Sequence, residues 1–256
     1  MPAPMTHPSP GDPGRPSAPV RTPPGVRARV APRSEPPYDR LFDAVTQDLV
    51  TDGSLARERF ATRWSDTAAL RALAAAKRAP LAPGLAAELA AHHRRLGAPE
   101  GSLAALERLA AGEAVCAVAG QQPGPLGGPL YTLHKIAGAV GQAAVVAERT
   151  GVPCVPVFWM HGEDSDFEEI RTATFAGPGL DVRQRDLPGE AHVPGGLVGS
   201  VPAGALAAVT EEALAAWDGL PGAAAAAGLL RGSLARARDL GEAFGALALA
   251  LFGGRG

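Results

Sequence analysis

The residues best suited to chemistry lie in two short stretches of the chain. One is the glycine- and proline-rich loop at residues 120–129, and the other is the acidic stretch at residues 161–169. Glycine lets the backbone approach a ligand closely, and a helix that begins after such a loop offers free N–H groups to an anion. Carboxylates bind ammonium groups or magnesium ions. The loop therefore suits a phosphate or carboxylate, and the acidic stretch suits a cation.

The loop contains neither a GxxxxGK[ST] pattern nor a GxGxxG pattern followed by a helix, so neither the Walker nor the dinucleotide-binding fingerprint applies. Two interpretations stay open, an anion site and a merely tight loop. Gln121 and Gln122 could orient a substrate or cap the loop. The candidate nucleotide-binding residues are Gly120, Gly124, Gly127 and Gly128.

Tyr131, His134 and Lys135 follow the loop at i, i+3 and i+4 spacing, which places them on one face of a helix. Cationic side chains near a helix N-terminus are unfavourable unless an anion offsets them. This spacing suggests contact of His134 and Lys135 with phosphate oxygens, and the alternative is a solvated surface face. Lysine otherwise occurs only at Lys77, in a chain whose basic residues are nearly all arginine.

The acidic stretch offers Glu163, Asp164 and Asp166 as candidate substrate-binding residues. In one interpretation these carboxylates bind an ammonium group or a magnesium ion. In the other they only stabilise the start of a helix. The spacing of Cys116 and Cys154 matches no metal site, so no metal-ligating residues are predicted. Both cysteines are expected to be buried thiols in a reducing cytoplasm, and Trp159 is expected in the core.

The apolar runs at residues 114–119 and 155–160 precede these two stretches and are typical of strands covered on both faces. A helical pattern at about 129–149 lies between them and is closed by Gly151. Strand, helix and strand predict a right-handed parallel βαβ unit. Ligands bind beyond the carboxyl ends of such strands, so the two stretches are expected to meet.

The rest of the chain divides into three further regions. Residues 1–37 form a proline-rich tail that is expected to be disordered, and residues 38–112 form a helical lead-in with Asp66 or Thr67 as one N-cap. The βαβ core is assigned to residues 113–176. Residues 177–256 hold an inserted segment and C-terminal helices. Short strands are expected at 172–175, at the end of the core, and at 181–187, and helices at 202–217 and 228–252.

Composition excludes several classes of protein. The formal net charge is −2, which gives no electrostatic case for nucleic acid. No apolar run approaches the roughly 20 residues that cross a bilayer, and the N-terminus lacks the apolar stretch of a secretory signal. A cytoplasmic protein that acts on small molecules is therefore expected.

Two long motifs resemble the BshC family of cysteine ligases of bacillithiol biosynthesis. Residues 119–135, AGQQPGPLGGPLYTLHK, resemble the family pattern TGQQxGxxxGPLYTxHK, and residues 155–170, VPVFWMHGEDSDFEEI, resemble PVFWxxGEDHDFxEI. Weaker similarity extends over about residues 38–252. The resemblance implies an α/β fold with a Rossmann-like parallel core, akin to class I aminoacyl-tRNA synthetases, which is preceded by the helical region.

The implied activity joins cysteine to the amine of glucosaminyl-malate. By analogy with the synthetases, ATP, with Mg²⁺ as a candidate companion, would activate the carboxylate as an adenylate. His134 and Lys135 would then stabilise phosphate charge, and Glu163 or Asp164 would hold the cysteine ammonium. Gln121, Gln122, Tyr131 and Asp166 would complete the substrate site. The alternatives are another adenylate-forming ligase of this class, and a non-enzymatic helical interaction module or inert remnant.

The sequence departs from the family in two respects. Ser165 stands where the family pattern has histidine, which removes an acid/base or phosphate-binding role for that side chain. Family members also continue past residue 256 with another core strand. We therefore expect an incomplete parallel sheet in this chain, completed by a second polypeptide if the protein is active.

Overall fold

The computed structural model describes residues 43–51, 53–177, 179 and 181–255. Residues 43–51 belong to one compact unit and the remainder to a second. The first unit contains helix α1, Ala44–Val50, whose N-cap Asp43 accepts a hydrogen bond from the Thr46 N–H at 2.8 Å. The predicted proline-rich tail and the start of the predicted first helix lie outside the described residues.

The second unit begins with four helices, of which the last three were predicted from helical periodicity and the first was not. They are α2 Ser54–Arg59, α3 Thr67–Lys77, α4 Pro83–Arg95 and α5 Glu100–Ala110. Asp66 is the N-cap of α3, where its carboxylate accepts from the Ala69 N–H at 2.9 Å. The prediction of that cap is confirmed. Gly97 and Gly112, which follow α4 and α5, both have positive φ angles that glycine adopts without strain.

A parallel βαβ unit follows α5, and the predicted α/β class is confirmed. Strand β1, Val115–Gln121, pairs in parallel with β2, Cys154–Met160, from Val115 opposite Cys154 to Gln121 opposite Met160. Helix α6, Leu130–Thr150, connects them and packs on both strands. Gly151 ends α6 in the left-handed conformation, so the predicted helix end is confirmed.

The prediction that both faces of these strands are covered is wrong for β1. Residues of β1 alternate between half-buried and exposed, and the Val118 side chain is 63% exposed. Cys116, expected in the core, is exposed, and Trp159, also expected there, is 60% exposed. Helix α5 packs on β2 near Val155. The part of the sheet face that carries Cys116, Val118 and Trp159 stays exposed. An apolar run identifies a strand but does not show what packs on it.

Cys154 is only half-buried, and burial raises the pKa of its thiol to about 11. Both cysteines are free thiols in the structure.

The inserted segment forms a separate sheet. After the short helix α7, Phe167–Ile170, strands β3 Thr172–Ala176 and β4 Val182–Asp186 pair antiparallel. Within the described residues, these strands do not hydrogen-bond with β1 or β2. The parallel sheet therefore has two strands here, whereas sheets that are stable on their own usually have three or more.

The final part of the chain contains α8 Ala207–Ala216, α9 Ala223–Leu234 and α10 Leu240–Phe252. The prediction of one continuous helix over residues 228–252 is wrong. The chain breaks after Leu234, and α10 restarts at Asp239, whose carboxylate caps the Glu242 N–H at 2.8 Å. Aspartate is more favourable at a helix N-cap than in a helix interior, so a new helix begins here although the apolar pattern continues.

The largest buried cluster joins the inserted segment to α8 and α10, with Val198, Ala213 and Leu240 almost fully enclosed. Phe158 of β2 stacks on Phe244 of α10, with ring centroids 5.7 Å apart. In the described part of the chain, every helix is too short or too polar to cross a bilayer.

Candidate functional site

An open cavity of about 330 Å³ lies at the carboxyl ends of β1 and β2. It is lined by Gly120, Gln121, Gln122, Trp159, His161, Asp164 and Glu169. Parallel pairing brings the two strand ends side by side, and the His161 N–H extends the pairing by donating to the Gln121 carbonyl at 3.2 Å. The predicted meeting of the loop with the acidic stretch is therefore present in the structure.

Lys135 is held against the end of β1 from the second turn of α6. Its ammonium group donates to the Gln121 side-chain oxygen at 2.8 Å and to the Gly120 carbonyl at 3.2 Å. The Tyr131 hydroxyl donates to the same Gln121 oxygen at 2.6 Å, and the Lys135 ammonium lies 4.6 Å from the Tyr131 ring centroid. All these partners are uncharged. Among the described residues, no carboxylate forms an ion pair with Lys135. Lys135 is not itself a lining residue, but it contacts Gly120 and Gln121, which line the β1 side of the cavity.

The opposite side of the cavity carries negative charge. The two ring nitrogens of His161 lie 3.8 Å from carboxylate oxygens of Glu163 and Asp164. The Asp166 N–H donates to Asp164 at 3.0 Å, and this hydrogen bond is the main cause that lowers the pKa of the Asp164 carboxyl. Asp164 is therefore ionised at neutral pH and can bind an ammonium group.

Gln122 contributes a polar group that lacks a hydrogen-bond partner. Its side chain is 5% exposed, and neither amide atom meets hydrogen-bond geometry with any group in the described part of the chain. The amide does lie close enough to Asp164 to lower the pKa of that carboxyl slightly. Buried amides are normally paired, because an unpaired one costs about 1–3 kcal/mol. Gln122 also lines the cavity beside Asp164, so its amide can help to position that carboxylate for a ligand.

Replacement of Gln122 by methionine is expected to stabilise the fold and to weaken binding. Methionine has a similar shape and removes the unpaired amide, so the free energy of unfolding should rise by about 1 kcal/mol in chemical denaturation. Binding of L-cysteine, measured by calorimetry, should weaken at the same time. Gln142→Met, at an exposed position of α6, is the matched control. Loss of stability in the Gln122 variant would mean that the amide is already satisfied inside the protein.

The second half of the glycine-rich loop turns away from the cavity. Gly127 and Gly128 have positive φ, and a Cβ atom at Gly124 would lie 2.9 Å from the Gly128 Cα. Leu126 also has a positive φ of 58°, and its side chain packs against the apolar cluster near α10. These glycines are required by a tight turn, and their predicted nucleotide contacts stay a prediction.

The remaining predicted residues are dispersed around the cavity. His134 is exposed and is not among the lining residues, and Glu163 is exposed beside His161. Asp166 is the N-cap of α7 and accepts from the Glu169 N–H at 3.1 Å, as the helix-start interpretation proposed. Substrate contacts of these three residues stay predictions.

Sequence reasoning missed three lining residues, Trp159, His161 and Glu169. The first two end and follow β2, so their position at the strand end was a usable signal. Glu169 lies in α7, and only the fold returns it to the cavity. Within the described ranges, no group of three histidine, cysteine or acidic side chains is arranged to hold a metal ion.

Comparison with known proteins identifies the family to which the chain is similar. Residues 38–256 match the family described as bacillithiol biosynthesis BshC, N-terminal Rossmann-like domain. A protein of Salinibacter ruber named "Putative cysteine ligase BshC" is 36% identical over 152 residues, which cover 59% of this chain and 28% of the relative. Proteins of the same name from Oceanobacillus iheyensis and Geobacillus kaustophilus are each 46% identical, over 78 and 87 residues.

These last two matches cover 30% and 34% of this chain, and 14% and 16% of the relatives. The matched segment thus spans less than a third of each of the three relatives.

Proposed function

This chain belongs to the BshC family of bacillithiol biosynthesis, and on that premise we propose that it binds cysteine and ATP for a ligase reaction. The reaction joins the cysteine carboxyl group to the amine of glucosaminyl-malate. The family match covers residues 38–256, which include all the residues that line the cavity.

The observation that supports cysteine binding is the pair of opposite charges near the carboxyl ends of β1 and β2. Lys135 offers an ammonium group beside the cavity, bound to the lining residue Gln121, and Asp164 offers a carboxylate in the cavity lining. A free amino acid carries both opposite charges, so its carboxylate can bind near Lys135 and its ammonium group near Asp164. The volume of about 330 Å³ accommodates a ligand of this size.

The phosphates of ATP would bind beside the cavity, at the start of α6. Helix α6 starts at Leu130 without a side-chain cap, so its N-terminus carries partial positive charge. His134 and Lys135 would add a hydrogen-bond donor and a full charge to this surface. ATP supplies the chemical activation that amide formation from a carboxylate needs. Lys135 would stabilise negative charge where the carboxylate and the phosphates meet.

We further propose that additional polypeptide completes this site. The matched relatives extend well beyond the shared segment, and Cys116, Val118 and Trp159 leave an exposed apolar area on the two-stranded sheet. An aromatic and a branched side chain this exposed are typical of an interaction surface. Polypeptide equivalent to the remainder of these relatives would cover this area.

The direct test separates ligand binding from turnover. Calorimetry should detect L-cysteine and ATP binding to the purified chain, and formation of the cysteine amide should require glucosaminyl-malate and the remainder of the Salinibacter ruber relative. Serine and alanine serve as control amino acids. Equal turnover with the controls would favour another ligase of this class. If neither ligand binds at millimolar concentration, while the full-length Salinibacter ruber relative does bind both, the chain is an inert remnant.

A further inference from the structure

The acidic wall of the cavity is held by a second segment of the chain, residues 198–201. The Val198 N–H donates to the Asp164 carbonyl at 2.8 Å, and the Gly199 N–H donates to the Gly162 carbonyl at 2.9 Å. Two adjacent backbone hydrogen bonds therefore hold the acidic loop at Gly162 and at Asp164. The loop owes its position to this segment as well as to β2.

The contact between the two segments is too close for a side chain at residue 199. A Cβ atom built on Gly199 would lie 3.0 Å from both the Cα and the carbonyl oxygen of Gly162. Real Cβ atoms rarely approach backbone so closely, and neither atom belongs to a flexible side chain that could move aside. The absence of a side chain at 199 is thus a geometric requirement of the loop position.

The holding segment is itself anchored in the core. Val198 is fully buried in the main apolar cluster, and the neighbouring Val201 is 1% exposed. The Val201 carbonyl accepts from the Leu240 N–H at 2.7 Å at the start of α10. Displacement at the 162–199 contact would therefore be taken up by the exposed acidic loop, because the buried segment cannot yield.

A second contact from the same part of the chain acts just beyond the loop. The His192 ring stacks on Phe167, with ring centroids 4.6 Å apart and planes 2° apart, and a His192 ring nitrogen lies 3.0 Å from the Gly196 carbonyl oxygen. The inserted segment thus contacts the acidic stretch at both of its ends.

We propose that Gly199 is a positioning residue of the site, which permits residues 198–201 to hold the Asp164 carboxylate at the cavity. The proposal concerns the same cavity as the proposed function, and its ligand-affinity part depends on that function. A rigid, correctly placed carboxylate binds more tightly than a mobile one because less order is lost on binding.

The test compares Gly199→Ala with Gly204→Ala, whose added methyl group has no atom within 4 Å. Carbon-13 NMR titration of the Asp164 carboxyl and calorimetry with L-cysteine are measured for both. In Gly199→Ala, the Asp164 pKa should rise toward its ordinary value because its hydrogen bond to the Asp166 N–H is disturbed. Affinity for cysteine should fall about tenfold or more, and the control should match the unsubstituted protein.

Thermal unfolding distinguishes loss of position from loss of fold. If Gly199→Ala does not fold, Gly162→Ala is the milder variant, because its methyl group meets the Gly199 Cα at 3.4 Å. It should change both readouts in the same direction by a smaller amount. An Asp164 titration in the folded variant that is identical to the Gly204→Ala control overturns the proposal. If the unsubstituted chain binds no cysteine, the proposed function fails, and the Asp164 titration alone decides the role of Gly199.

Discussion

Replacement of Lys135 by methionine is expected to weaken ATP binding by about 10- to 100-fold. A hydrogen bond to a charged group contributes about 1.5–3 kcal/mol, which corresponds to this range of affinity. Methionine keeps much of the aliphatic length and removes the ammonium group that the Gln121 side chain and the Gly120 carbonyl hold at the cavity wall. Calorimetry with ATP measures the loss, and thermal unfolding reports whether the fold is retained.

The chain supplies its own matched control for this variant. Lys77 is the other lysine of the sequence and lies exposed in the last turn of α3. Lys77→Met removes the same charge from the protein at a position outside the cavity lining, so it should bind ATP like the unsubstituted chain. Equal affinity in the two variants would show that the Lys135 ammonium does not contact the phosphates.

Replacement of Glu242 by glutamine is expected to lower the free energy of unfolding by about 2 kcal/mol at pH 7. The Glu242 side chain is 5% exposed, and its carboxylate accepts hydrogen bonds from the Arg238 guanidinium and backbone N–H, with Arg95 at 2.8 Å. These contacts lower the pKa of Glu242 to about 2, and the hydrogen bond from the Arg238 side chain makes the largest contribution. The whole shift would correspond to about 3 kcal/mol, but Arg95 is 41% exposed and Arg238 is 76% exposed, so water screens both charges and the contribution is smaller.

The pH dependence of this contribution has a definite sign. Because the folded-state pKa lies below the ordinary value of 4.5, the unfolded chain binds the proton more readily as the pH falls. The stabilisation is therefore complete above about pH 4.5 and is lost as the pH falls toward 2. Chemical denaturation at pH 7, 4 and 2.5 should show the two proteins converging in stability.

Glu211→Gln is the control for this prediction. Glu211 also pairs with an arginine, Arg231, at 2.6 Å, but both side chains are more than half exposed. Exposed pairs contribute little to stability, so this variant should unfold close to the unsubstituted protein at every pH. A Glu242 variant that behaves in the same way would show that the buried carboxylate is not stabilised by its arginines.

Local patterns predicted the elements that surround the site. The apolar runs before Gly120 and His161 identified both strands, and the cap at Asp66 and the stop at Gly151 identified helix ends. These features depend on residues only a few positions apart, so the sequence displays them directly. The same reasoning failed at residues 235–239, where an aspartate cap interrupts an apolar helical pattern.

The residues alone predict the βαβ unit and the two stretches that meet at its strand ends, because parallel pairing forces those ends together. The folded structure was needed to show that Lys135 turns toward Gln121, that the Gln122 amide is buried, and that residues 198–199 hold the acidic loop. Each of these depends on contacts between residues distant in the chain or on which surfaces remain uncovered. The periodicity of apolar residues predicts neither the long-range contacts nor the uncovered surfaces.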